Sequence, residues 1–465
     1  MKSLQQLDRE VYRAVVLGAN GKELLVVAHD RGLLLPCVDI PRDQRLAESL
    51  TRAMKTDWSC ETICLFTPDA PSWAGRTSEV RYQVMECSDK THDPRTKWVL
   101  VSSLLPNDFA NVADYAAVFQ SVVECLAHVG GEALGPFARI GWLEQLQEWV
   151  EEVVTPLGFH LSGSFRQLNA SPCFSLIRFA TNGPAVWFKA VGEPNLREFP
   201  ITLTMAELFP KYVPSILDSR TAWNGWLAQE VEGISLAETL ALQDWRRAAS
   251  ALAEMQIESI AHGPRLRQCG ARDLRIAALS NLLDPFLDAI GHLVAQQMKV
   301  PPQVLTGKEL LSVGEQILDA LSSFLDLEIP DGLGHLDLNP GNIIVSTDGC
   351  AFLDWAEGYV GPPFLSFQYL LEHARRMVGA DACFEDQLTA LYTRPWREVL
   401  SADHIAEALR LAPILAVFAY AAGTGLWANP DGVRDQKTAG FLRSLTRRLT
   451  REASLVMSRS PRCVC

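Results

Sequence analysis

The sequence lacks a disulfide framework, a basic surplus, internal repeats and low-complexity tracts, and each absence removes a class of protein. Its eleven cysteines are scattered over 465 residues. Cys60 and Cys64 stand four apart with no second pair at metal-finger spacing, and Cys463 and Cys465 form a C-x-C without nearby histidines or a prenylation box. A disulfide scaffold and a zinc finger are thereby excluded, and free thiols in a reducing cytoplasm are expected. Lys and Arg number 42 against 55 Asp and Glu, a formal net charge of −13. No broad basic surface for nucleic acid follows from that balance, which leans towards a cationic or neutral small partner. The opening "MKSLQQLDREVYRAVVLG" places acids before any apolar run, unlike a secretory leader. The one long uncharged run, "LAPILAVFAYAAGTGLWANP" at 411–430, is broken by Pro413, Gly423, Thr424 and Gly425. It reads as a buried helix and not as a membrane span.

At 48% hydrophobic and 21% charged, the composition is that of a globular protein, and the length calls for two or three domains. Residues 1–138 read as a small α/β domain. Strands are expected around the turn "GANGKE" and in "ETICLF", "SEVRYQVMEC" and "TKWVLVSSLL", with helices in "RDQRLAESLTRAMKTDW" and over 112–128. Residues 139–232 open on the amphipathic helix "WLEQLQEWVEEVVTPLG" and continue into three strand-like stretches, "FHLSGSFRQL", "CFSLIRFAT" and "AVWFKAV". A helix around 196–209 and the strand "GWLAQEV" follow; residues 233–465 read as mostly helical.

One stretch interrupts that helical half: "GHLDLNPGNIIVSTDGCAFLDWAEG", residues 334–358. "NIIV" and "AFLD" flank Asp348-Gly349, a strong tight-turn signal. Pairing them would put Asn342 and Asp354 at one end of a ribbon, where two oxygen donors can share a hard cation such as Mg²⁺. Asp337 lies just upstream, on a loop that Pro340 and Gly341 keep out of helix. A carboxylate so placed can accept the proton of an attacking hydroxyl.

H-x-D-x-x-x-x-N followed by an aspartate after a short hairpin resembles the catalytic and metal loops of protein-kinase-like phosphotransferases, and "HLDLNPGN" with "FLDW" is most similar to the aminoglycoside phosphotransferase branch. The resemblance spans roughly 141–430. It implies an α+β, two-lobed, protein-kinase-like fold behind the small α/β domain, and transfer of the γ-phosphoryl group of ATP to a hydroxyl of a small molecule. It further implies Asp337 as catalytic base, Asn342 and Asp354 as Mg²⁺ ligands, and His335 as a structural residue of the loop. Lys189 in "VWFKAV" takes the place of the strand lysine that orients the nucleotide phosphates. Its partner would be Glu198 on the next helix, with Glu207 as the alternative. Ser171 and Ser175 in "LNASPCFS" would donate to phosphate oxygens, and the backbone of Gln229 and Val231 would meet the adenine edge. Where many of these proteins carry an aspartate, this chain has Ser366. Aminoglycosides, macrolides, choline-like amines, amino-alcohols and sugars all stand open as acceptors.

"LLLPCVDIP" resembles the entry to the catalytic helix of a Nudix domain, yet the helix offers Glu48 as its one glutamate where a glutamate cluster would be needed. The expectation is a degenerate, non-hydrolytic Nudix-like domain, a candidate for docking, homo-oligomerisation or substrate gating. The full reading is a cytoplasmic small-molecule kinase that binds neither nucleic acid nor membrane. The alternative is a catalytically silent nucleotide-binding protein of the same fold.

Overall fold

A computed structural model describes residues 9–42, 44–68, 80–87, 93–127, 134–379, 381–429 and 433–458. The chain divides into two compact units, Met1–Phe199 with Ile216–Glu230 and Pro200–Ser215 with Val231–Cys465.

In the first unit, strands β1 (Arg9–Gly18), β2 (Glu23–His29), β3 (Gly32–Leu34), β4 (Cys37–Pro41), β5 (Thr62–Phe66), β6 (Val80–Cys87) and β7 (Thr96–Leu100) form one sheet. Its order is β3-β2-β1-β6-β5, with β4 added to β1 and β7 to β2, and β1 runs parallel to β6. Helices α1 (Leu46–Trp58), α2 (Val112–Ala127) and α3 (Trp142–Val154) accompany it. A second, antiparallel sheet follows the order β11-β12-β10-β9-β8. Its strands are β8 (Leu161–Ser171), β9 (Phe174–Thr181), β10 (Val186–Ala190), β11 (Ile216–Arg220) and β12 (Gly225–Gln229).

These elements follow from side-chain period. In β10, Val186, Phe188 and Ala190 are buried while Trp187 and Lys189 lie on the other face. In α3, Trp142, Leu143, Leu146, Trp149, Val150 and Val154 are buried, and Glu144, Glu148 and Glu152 face out. Phe137, Trp142, Trp149, Phe188 and Trp223 pack ring against ring at centroid distances of 5.0–6.4 Å. That core also takes in Val15, Leu17, Leu24 and Val84 from the seven-stranded sheet, so the packing runs on across residue 138. Gln167 of β8 ties the sheets further. Its Oε1 accepts the N–H of Cys64 at 2.7 Å and its Nε2 donates to the Cys64 carbonyl at 3.0 Å, so a side-chain amide covers the edge strand β5.

The second unit holds two three-stranded sheets, β13-β16-β17 and β14-β18-β15. They comprise β13 (Ile234–Ser235), β14 (Arg272–Asp273), β15 (Gly332–His335), β16 (Ile343–Val345), β17 (Cys350–Phe352) and β18 (Gly358–Gly361). The chain passes from the first unit to the second inside helix α4 (Glu198–Leu208), and again after Glu230. Helices α5 (Leu242–Ser259), α6 (Gly263–Gln268), α7 (Ile276–Ala295), α8 (Gly307–Asp326), α9 (Phe364–Met377), α10 (Ala382–Trp396), α11 (Ala402–Gly423) and α12 (Gln436–Ser458) make up the rest. Their core gathers Trp245, Phe286, Phe324, Trp355, Trp396 and Phe418. The uncharged run falls largely in α11, among the described residues the one helix long and apolar enough to cross a membrane; 72% of its apolar window is buried inside the structure. Cys463 and Cys465 lie outside the described residues.

Candidate active site

Strand β15 ends at His335, opposite Gly358 of β18. His335 is 1% exposed and held at three points. Its N–H donates to Ser366 Oγ at 2.8 Å, its Nε2 lies 3.1 Å from the Leu353 carbonyl, and its Nδ1 accepts the N–H of Asp337 at 3.1 Å. A carbonyl can only accept and an amide N–H can only donate, so the imidazole is neutral with its proton on Nε2. Burial depresses its basicity and outweighs the negative charge of nearby Asp354.

The loop beyond is shaped by its own side chains. Asn339 Oδ1 accepts the N–H of Gly341 at 2.9 Å and the Asn339 carbonyl accepts that of Asn342 at 3.0 Å, a turn that Pro340 preorganises. Asn342 Nδ2 reaches back to the Asp337 carbonyl at 3.1 Å. The Asp337 carboxylate is left exposed.

Strands β16 and β17 pair with Ile343 opposite Phe352 and Val345 opposite Cys350. Ser346 closes their turn, its Oγ accepting the amides of Asp348 and Gly349 at 3.2 and 3.1 Å. The Leu353 N–H donates to the Asn342 carbonyl at 2.8 Å, which carries the pairing one step further and sets Asn342 and Asp354 at the same end of the ribbon. Asp354 is exposed and has φ +65°, the left-handed conformation that costs an L-residue energy. The chain reverses there because Trp355 is drawn inward, its indole N–H donating to the Phe352 carbonyl at 3.1 Å.

The donors suit Mg²⁺. Asn342 has committed its amide nitrogen, which leaves Oδ1 as acceptor, and Asp354 adds a carboxylate, an all-oxygen pair that would hold a hard cation. Among the described residues no group of three or more His, Cys, Asp or Glu gathers as a metal cluster.

In the first unit, Lys189 sits on the inner strand β10, opposite Leu176 of β9 and Trp226 of β12. Its ammonium forms an ion pair with Glu198 and lies 5.9 Å from the Trp226 ring centroid. The Glu198 side chain is only 2% exposed and sits in the first turn of α4, where a carboxylate also complements the helix dipole. Glu207 pairs instead with Arg265, so the structure gives Lys189 to Glu198.

The two serines separate. Cross-strand partners share a face, and Ser175 pairs with Ala190 while Ser171 pairs with Phe174. Ser175 therefore shares the core face with Phe188, opposite to Lys189; it is fully buried and its Oγ has no hydrogen-bond partner. The expectation that Ser175 donates to phosphate is corrected on that ground. Ser171 lies on the Lys189 face and is half-buried. Gln229 ends β12, and Val231 follows it across the division of the two units. Gly233 has φ +149°, and a Cβ there would lie 2.5 Å from the Val345 carbonyl oxygen, so only glycine fits.

Sequence reasoning missed Tyr359, whose hydroxyl meets Ser366 at 3.1 Å. It also missed Arg272, which pairs with Glu357 at 2.9 Å beside the loop. The β14-β18-β15 pairing brings each of them in.

Residues 197–426 match the family described as the phosphotransferase enzyme family, APH. No curated protein matches the chain by sequence. Among solved structures, a macrolide 2'-phosphotransferase of Brachybacterium faecium is similar at 15% identity and TM-score 0.42, over 65% of this chain and 98% of that one. A choline kinase of Streptococcus pneumoniae is similar at 15% identity and TM-score 0.42, over 67% and 99%. An ethanolamine kinase of Plasmodium vivax is similar at 14% identity and TM-score 0.45, over 67% and 86%.

Proposed function

We propose that the protein is an ATP-dependent O-phosphotransferase acting on a hydroxyl of a small molecule. The observation that carries this reading is the gathering of Asp337, Asn342 and Asp354 on one loop and hairpin, inside the segment that matches a phosphotransferase family. Asp337 orients the acceptor hydroxyl and takes its proton on a carboxylate oxygen. Asn342 and Asp354 hold Mg²⁺, which supplies charge neutralisation on the phosphates when bound. Lys189, braced by Glu198, binds phosphate oxygens; Ser171, on the same face of the sheet, is a candidate donor, and the backbone at Gln229 and Val231 is a candidate for the adenine edge. We read residues 1–138 as a degenerate Nudix-like domain without hydrolase chemistry, because "RDQRLAESLTRAMKTDW" carries Glu48 as its one glutamate where a cluster would be needed.

A screen of hydroxylated amines, macrolides and sugars for acceptor-dependent ADP release from Mg·ATP tests the proposal. Turnover with one acceptor class, and at least a hundredfold loss in Asp337→Ala, is expected. Full turnover in Asp337→Ala removes the base assignment, and Mg·ATP binding without turnover on any acceptor favours the silent alternative.

A further inference from the structure

Gly334 and Tyr359 are cross-strand partners in β15 and β18, and a Cβ on Gly334 would fall 2.0 Å from Cζ of the tyrosine ring. The ring therefore lies across the backbone immediately before His335, where any side chain but hydrogen would displace it. Tyr359 is fully buried. Its hydroxyl lies 2.9 Å from the Pro362 carbonyl and 3.1 Å from Ser366 Oγ, which in turn lies 2.8 Å from the His335 nitrogen.

The protons in this chain have one arrangement. The Pro362 carbonyl can only accept, so Tyr359 donates to it. Ser366, accepting from the His335 N–H, then donates its own proton to the Tyr359 oxygen. Each hydroxyl donates once and accepts once, and none meets solvent. Burial pushes the Tyr359 hydroxyl well above its ordinary range, so it remains a donor at any working pH. The relay continues beyond His335, since the imidazole of that residue accepts the Asp337 N–H.

We infer that Tyr359 and Ser366 are positioning residues of the phosphotransfer reaction: together they set the main chain of His335, and through its ring the main chain of Asp337. The inference rests on the reading of Asp337 as the base. Neither residue touches a reacting atom. Ser366 alone accepts the His335 N–H, and Tyr359 acts on the loop through Ser366 by fixing where that hydroxyl points, so once Ser366 is gone deletion of the Tyr359 hydroxyl adds nothing.

Two measurements on the full chain test it. In hydrogen exchange read by mass spectrometry, Tyr359→Phe should speed exchange at least tenfold in peptides covering His335 and Asp337, while α5 and α11 keep their protection. In steady-state ADP release from Mg·ATP with water as acceptor, Tyr359→Phe and Ser366→Ala should each lower kcat about 10- to 100-fold with KM for ATP within about twofold. The double variant should be no worse than the weaker single, and Ser366→Thr should restore turnover. Unchanged exchange at Asp337 overturns the inference even where turnover with water is too slow to follow. So do deficits in kcat that multiply, or a lower Tm with normal kcat. Asp337→Ala, run alongside, keeps the two readings apart: if it stays active, the base assignment fails; if it is dead while Tyr359→Phe is normal in both measurements, only the positioning role fails.

Discussion

The N–H of Asp337 donates to Nδ1 of His335 at 3.1 Å, so an exposed carboxylate stands on a buried, neutral imidazole. In the native state this histidine resists protonation, whereas in the unfolded chain it titrates near its ordinary value of 6.5.

Below that value the unfolded state binds a proton that the native state refuses, so His335 makes stability fall as pH falls, by at most about 1.4 kcal/mol per pH unit. Gln at this position can still accept from the Asp337 amide and donate to the Leu353 carbonyl. Thermal melts from pH 7.5 to 5 should show a shallower acid decline in His335→Gln than in the wild type. Parallel curves would mean that His335 is already protonated in the native state.

Lys189 and Glu198 should act as a unit on nucleotide affinity. Lys189→Ala and Glu198→Gln are each expected to raise KM for ATP about 10- to 100-fold. Glu207→Gln, which breaks only the pair with Arg265, should leave KM unchanged. A titration of Mg·ATP by thermal shift gives the same ranking without an acceptor.

Asp354→Asn tests the metal assignment without disturbing the backbone, because asparagine tolerates the left-handed conformation that φ +65° requires. Stability should stay within about 0.5 kcal/mol of the wild type, and the Mg²⁺-dependent part of the thermal shift with ATP should disappear. A persisting Mg²⁺ requirement with unchanged midpoint would move the metal elsewhere.

Ser175 carries a buried hydroxyl without a partner, so Ser175→Ala should be neutral or stabilising by up to about 1 kcal/mol, with nucleotide affinity unchanged. Loss of ATP binding in that variant would return Ser175 to the phosphate site. Ser171→Ala is the informative companion, since Ser171 shares the face of Lys189.

Glu86 is buried in β6, its Oε2 accepting the Gly141 N–H at 3.0 Å, and burial pushes its carboxyl up to about 7. The native state holds this proton between the unfolded value of 4.5 and about 7, so stability falls as pH rises through that window. Glu86→Gln removes a charged form that costs up to about 3 kcal/mol above pH 7. Its Tm should exceed that of the wild type at pH 8 and approach it near pH 5. Equal values at both pH values would show that the carboxylate ionises freely in the fold.

The sequence alone determined what is written in short-range chemistry. Asp348-Gly349 between two apolar runs encodes a hairpin, and the hairpin with Pro340 and Gly341 delivers Asp337, Asn342 and Asp354 to one end of it. The alternation in "VWFKAV" likewise encodes a strand with its lysine off the core face, and the period of "WLEQLQEWVEEVV" encodes α3. Only the tertiary structure decided what depends on register and packing between distant segments. A period of two would put Ser171 and Ser175, four apart, on one face; the tight turn that pairs Ser171 with Phe174, and Ser175 with Ala170 and Ala190, sets them on opposite faces. Glu198 and Glu207 lie on one helix, and Arg265 takes the second. Tyr359 reaches the loop through pairing with Gly334, and Trp142, Trp149 and Phe188 join a core begun by Val15 and Leu17. Local rules specify turns and faces through bonds a few residues long, whereas such contacts are chosen by the burial of surfaces that meet only when the whole chain is folded.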